Sequence, residues 1–158
     1  MQIKPELLFS WGAVAKRYAK GETIFFERET PRFYHQILEG RVKMYNLNDE
    51  GKVFFQGIFG PGRSFGEPPL LIGQPYPATA EAMEHSAVIR LGKDIFMKLL
   101  SEYPDLKDKL LPLLSERLYC KAIMARNIVN NPPISGCWAF WSIADLSRRT
   151  KKAGNSLI

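Results

Sequence analysis

The sequence predicts a mainly β protein, a sandwich or barrel flanked by α-helices, on three observations. Short β-rich runs recur from residue 23 to residue 91 between Gly-, Pro- and Asn/Asp-bearing breaks. On either side of that region the apolar spacing turns helical. With 46% hydrophobic and 12% aromatic residues over 158 positions, the chain can bury a core of its own without metal or disulfide support.

Taken in order, residues 5–18 read as a short amphipathic helix leading into the body. Strands are expected at Thr23–Phe26, His35–Leu38, Arg41–Tyr45, Val53–Phe59, Ala78–Ala82 and Ser86–Leu91. Strands spaced this closely argue for a sandwich or a barrel. Gly40, the Asp49-Glu50-Gly51 hairpin turn and Gly60-Pro61-Gly62 supply backbone angles that β-branched residues resist. After Leu91, Asp94 is placed to cap a helix over Ile95–Leu100, and Pro104 opens or interrupts the next one. Leu110, Leu113, Leu114, Leu118 and Ile123 then form an apolar stripe beside solvated Arg117, Lys121 and Arg126, and Pro132-Pro133 stops that helix. The boundaries this sets are a helical lead over 1–18, a barrel with its helical turn and the start of the C-terminal helices over 19–111, a long helix over 112–131 and a basic tail over 132–158.

The net charge of +6 is unevenly placed. Residues 1–116 carry 15 Lys/Arg and 15 Asp/Glu, whereas residues 117–158 carry 7 Lys/Arg against Asp145 alone. Arg148-Arg149-Thr150-Lys151-Lys152 reads either as a solvated end or as a contact for nucleic acid or an acidic surface. The two cysteines, Cys120 and Cys137, and the lack of a signal-peptide apolar segment point to a reducing cytoplasm. No apolar run approaches the roughly 20 residues that cross a bilayer, so no membrane partner is expected. No Ser/His/Asp or Cys/His arrangement stands out, and Gly60-Pro61-Gly62 lacks the Gly-Lys-Ser/Thr of a phosphate loop, so no catalytic residue is assigned.

The most informative stretch is Phe65-Gly66-Glu67-Pro68-Pro69-Leu70-Leu71-Ile72-Gly73-Gln74-Pro75-Tyr76-Pro77-Ala78-Thr79-Ala80-Glu81-Ala82. It resembles the phosphate-binding cassette of cyclic-nucleotide-binding domains, which read Phe-Gly-Glu, a short helical turn, then Arg-Ala-Ala-Thr. With Lys20–Phe25, Phe33–Lys43, Gly60–Glu67 and Leu114–Leu118, residues from about 19 to 131 resemble the sensory domain of the Crp/Fnr group of bacterial transcription regulators. The resemblance implies a double-stranded β-helix (jelly-roll) barrel and a long helix that forms a parallel homodimer seam. It implies a cyclic nucleotide such as cAMP as effector, with the cassette Arg on the phosphate and the Glu accepting from the ribose 2′-hydroxyl.

Here Glu67 is kept and Tyr76 stands where that Arg belongs. A phosphate monoanion in a partly dry pocket calls for a permanently charged, planar donor, and Tyr offers one neutral hydroxyl. Pro68, Pro69, Pro75 and Pro77 each remove a backbone donor that an anion at a helix N-terminus would use. Glu67 is read either as a ribose acceptor or as a residue holding the cassette turn, and Arg41 and Arg63 are the candidate substitute cations. Cupin enzymes share such a barrel but bind metal through more histidines than His35 and His85, so both are read as structural or exposed and no metal is expected.

A winged helix-turn-helix of roughly 70 residues follows the long helix in such regulators, and about 25 residues follow Pro133 here. DNA binding is therefore expected only if a missing C-terminal domain is present in the full gene. Codons for Gly136-Cys137-Trp138-Ala139-Phe140-Trp141, read in a neighbouring frame, must give apolar-Leu-Gly-apolar-Leu, so the segment reads either as a frameshifted remnant of that domain, as a Trp-bearing dimer element or as a variant tail. The leading expectation is a dimeric effector-sensing module with a small anionic ligand or none. The alternatives are a ligand-free dimerisation and interaction module, or a cupin-like enzyme.

Overall fold

Side chains of alternating character on two central strands divide the protein into two cores, and the architecture follows from that division. The computed structural model describes residues 3–48 and 50–130, with side chains placed as far as Ile123. The chain divides into two units between Leu118 and Tyr119, and among the described residues the first unit holds the strands and the site below.

The elements run α1 (Pro5–Ser10), β1 (Val14–Tyr18), β2 (Thr23–Phe25), β3 (Phe33–Glu39), β4 (Val42–Leu47), β5 (Val53–Phe59), β6 (Ser64–Phe65), α2 (Glu67–Ile72), β7 (Thr79–Ala82), β8 (Ser86–Gly92), α3 (Lys93–Glu102) and α4 (Pro104–Asn130). Two four-stranded sheets, ordered β1-β8-β3-β6 and β2-β7-β4-β5, face each other with every pairing antiparallel. This is the expected jelly-roll.

On β3, Ile37 faces the interior between the sheets while Tyr34 faces the helices; on β8, Val88 goes inward while Ile89 and Leu91 go to the helices. Burial on both faces makes these strands near-continuous apolar runs. The helix-side core joins Leu8 of α1, Phe96 and Leu99 of α3, and Leu106, Leu110 and Leu113 of α4. Buried Gln36 ties the N-terminus to it: its Nε2 donates to the Ile3 carbonyl at 2.8 Å and its Oε1 accepts from the Ile3 amide at 3.0 Å. The inner core holds Phe25, Val42, Met44, Phe59, Phe65, Tyr76, Ala78 just before β7, and Ala80 and Ala82 on it.

Three sequence expectations need correction. The helix expected over 5–18 ends at Ser10, because Gly12 turns the chain at φ +84°, and Val14–Tyr18 pairs with β8 as an edge strand. Lys16 and Arg17 on that strand face solvent, so its period carried little apolar signal. Asp94 lies in the first turn of α3 and makes no capping bond; Gly92 is the N-cap. The long helix begins at Pro104 rather than 112, with Pro112 inside it, so no boundary falls at 111/112. The tail over 132–158, its basic cluster, Cys137 and the frameshift reading lie outside the described residues.

Candidate functional site

Gly66 starts the cassette by adopting φ +74° as the N-cap of α2, a left-handed conformation that lets β6 turn directly into the helix. The turn carries Glu67 inward, where it is fully buried. An isolated carboxylate in such a place is costly, and the protein answers it from α4. Arg117 Nη1 donates to Glu67 Oε2 at 2.8 Å, and Arg117 Nη2 donates to the Ser64 carbonyl at 2.7 Å. The guanidinium also lies 5.4 Å from the centre of the Phe59 ring. Glu67 Oε1 is buried with no hydrogen-bond partner, so this carboxylate retains an open acceptor.

Across the interior, Tyr76 is turned in from the α2–β7 loop and its ring stacks on Phe25, with centroids 3.6 Å apart and planes 8° apart. Burial raises the Tyr76 phenol well above its ordinary value, and the charges of Glu29 and Glu67 add to that. It stays a neutral phenol, and its buried hydroxyl has no partner. His35, between Phe25 and Phe65, is pushed down to about 3 by burial and by Arg90, so it is neutral.

The cassette residues singled out in the sequence divide into two groups. Phe65, Gly66, Glu67, Tyr76 and Ala78 are buried together, whereas Pro68 and Pro77 are exposed. Thr79 is engaged structurally, its Oγ1 accepting from the Glu27 amide at 3.0 Å. The Pro77 carbonyl accepts from Asn46 Nδ2. Pro68 and Pro69 sit in the first turn of the six-residue α2 and leave it few free amides.

Arg41, one of the two candidate substitute cations, is exposed and pairs with Glu84 at 3.8 Å. The backbone of Arg63 holds the turn before β6: its amide donates to the Gly60 carbonyl at 3.1 Å and its carbonyl accepts from the Ile37 amide of β3 at 2.9 Å. The cation that meets Glu67 is Arg117, expected on a solvated helix face but only 12% exposed in its side chain. The signal was the Leu114–Leu118 run itself: Leu110, Leu113 and Leu114 pack on the barrel, and Arg117 follows them on the same helical face. His35 is structural and His85 exposed, as expected. Among the described residues no group of three His, Cys, Asp or Glu side chains could hold a metal, and no helix is long and apolar enough to cross a membrane.

A profile of the cyclic nucleotide-binding domain matches residues 15–103, more than half of the chain. The chain belongs to the cyclic nucleotide-binding domain family. Among curated proteins it is 27% identical over 101 residues to the cyclic AMP receptor protein of Thermus thermophilus, covering 64% of this chain and 47% of that protein. It is also 27% identical over 112 residues to lysophospholipase NTE1 of Pyricularia oryzae, covering 71% of this chain and 7% of that one. The chain thus spans about half the length, or far less, of these relatives. Among solved structures, the Thermus thermophilus catabolite activator protein superposes with a TM-score of 0.70 at 24% identity, covering 81% of this chain and 61% of that one. The sensor domain of the transcriptional regulator DNR from Pseudomonas aeruginosa gives 0.62 at 25% identity, covering 82% of each.

Proposed function

We propose that this chain is the effector-sensing domain of a Crp/Fnr-type transcription regulator whose cyclic-nucleotide site has lost the charge that holds a phosphate, and that it works as a homodimer through α4. The observation that carries the reading is the Glu67–Arg117 bond, which joins the cassette to the long helix within one buried site. Anything that engages Glu67 competes with or reinforces a contact of α4, which is what a sensor coupled to a helix seam requires.

The residues fit half of a cyclic nucleotide. Glu67 Oε1 is an open acceptor suited to a ribose hydroxyl, but the position that should meet the phosphate carries a stacked, neutral phenol. A charge-assisted bond to a phosphate contributes roughly 1.5–3 kcal/mol, so its loss weakens binding about ten- to a hundredfold. We expect cAMP and cGMP to bind above roughly 100 μM or not at all, and Tyr76→Arg to tighten cAMP binding about tenfold or more. Calorimetry on both proteins tests this, and low-micromolar cAMP binding by the unmodified chain overturns it.

A second reading, a ligand-free dimerisation and interaction module, is favoured by the fact that Glu67 already holds a guanidinium from its own chain. Catalysis is not proposed, and DNA recognition is not assigned to the described residues.

A further inference from the structure

We propose that the Tyr76 ring is the barrel's own occupant: a side chain of the cassette fills the apolar interior that an effector would enter, so the domain keeps its cassette-to-α4 linkage with no ligand bound. The proposal rests on the reading of the cassette as a degenerate effector site. Gln74, Pro75 and Pro77 around it are exposed, yet Tyr76 itself is 3% exposed, so one ring is turned inward from a surface loop. Its face-to-face stack on Phe25 is the closest ring pair in the interior.

The loop is held to keep the ring there. The Tyr76 amide donates to the Glu29 carbonyl at 2.9 Å, and the Tyr76 carbonyl accepts from the Arg28 amide at 2.8 Å. Arg28 adopts φ +67°, a left-handed conformation that is strained for a residue with a side chain. Glu29 Oε2 accepts from the Phe26 amide at 3.0 Å and closes that turn. Gly66 is cut to the same fit, since a Cβ there would lie 3.1 Å from Tyr76 Cε1 and 3.2 Å from Phe25 Cζ. The inward wall along β7 and the residue before it is reduced to the methyl groups of Ala78, Ala80 and Ala82.

What separates this ring from ordinary core packing is its polar end. Buried tyrosine hydroxyls are normally hydrogen-bonded. Here both Tyr76 Oη and Glu67 Oε1 are buried without partners. An interior selected for apolar packing alone would carry Phe at 76 and no carboxylate; this one keeps a carboxylate acceptor and a phenol hydroxyl, both buried and both without partners.

The test is chemical complementation, reading the melting temperature of Tyr76→Ala with millimolar phenol, the part of the side chain that Ala lacks. Tyr76→Ala should melt roughly 10 °C or more below the unmodified chain. Phenol should restore about half of that loss or more, and should leave the unmodified chain and Tyr76→Phe unshifted. If Tyr76→Ala does not fold alone, refolding in phenol should recover it.

A folded variant that ignores phenol, an unfolded one that phenol does not rescue, or an unmodified chain that responds equally would each overturn the proposal. The effector-site reading fails differently, by low-micromolar cAMP binding to the unmodified chain, and calorimetry on the same samples separates the two.

Discussion

Glu67 and Arg117 show how much one pair of side chains asks of a fold. A buried ion pair is weak evidence of net stabilisation, but removing one partner strands a charge in an apolar interior, at a cost of about 3–5 kcal/mol. Since Glu67 is fully buried and Arg117 nearly so, Arg117→Ala should lower unfolding stability by about 3 kcal/mol. Arg117→Lys should recover only part of this, because a single ammonium cannot reach Glu67 Oε2 and the Ser64 carbonyl in the same fork. Denaturant titration of both variants, with Glu67→Gln closing the cycle, measures the coupling. His35 makes a prediction of its own in acid. The unfolded chain takes up a proton near 6.5, while the folded imidazole resists to about 3. Stability should therefore fall as pH drops from about 6.5 toward 3, by at most about 1.4 kcal/mol per pH unit from this group. Replacing His35 by Phe should flatten that limb in pH-dependent melting.

At the scale of elements, turns and one helix carry the testable consequences. Gly40 joins β3 to β4 at φ +83°, and a Cβ there would lie 2.2 Å from Ser86 Oγ and 2.7 Å from the His85 carbonyl. Gly40→Ala should thus cost about 2 kcal/mol or more in denaturant unfolding, because backbone and space both object. Pro112 is the opposite case: it is exposed, lies inside α4 and withholds a helical donor. Pro112→Ala should gain about 1 kcal/mol in the same measurement. The sequence signalled Gly40 through its place between two β-rich runs. Pro112 instead lay where the long helix was expected to begin, and the helix runs through it with Leu106 and Leu110 packed on the core ahead of it.

At the scale of the whole molecule, the apolar face of α4 must be reassigned. Leu110 and Leu113, the first two residues of the expected apolar stripe, are buried against the barrel at 6% and 9% exposure. Leu111 and Leu118 remain open at 69% and 71%. With Ser115 they follow the four-three spacing of a two-helix seam. If the homodimer forms through this face, Leu111→Glu with Leu118→Glu should give a folded monomer by light scattering, whereas Leu110→Glu should unfold the chain. A double variant that stays dimeric would place the seam elsewhere.

A sandwich or barrel was legible from local patterns, since alternation and glycine breaks are properties of short segments that set backbone geometry, and the jelly-roll and the cassette were legible through the resemblance that the Phe-Gly-Glu turn and its neighbours carry. The edge strand over Val14–Tyr18 was not legible, because its outward residues are charged and its pairing with β8 is some seventy residues away in sequence. Which leucines of α4 face the barrel, and that Arg117 meets Glu67, depended on how a helix is laid across a sheet. The same is true of Tyr76. The sequence by itself determined that position 76 carries no cation; only the tertiary structure decided that its ring would fill the interior, because that needed Phe25, Gly66 and the Arg28–Glu29 turn brought together from distant parts of the chain.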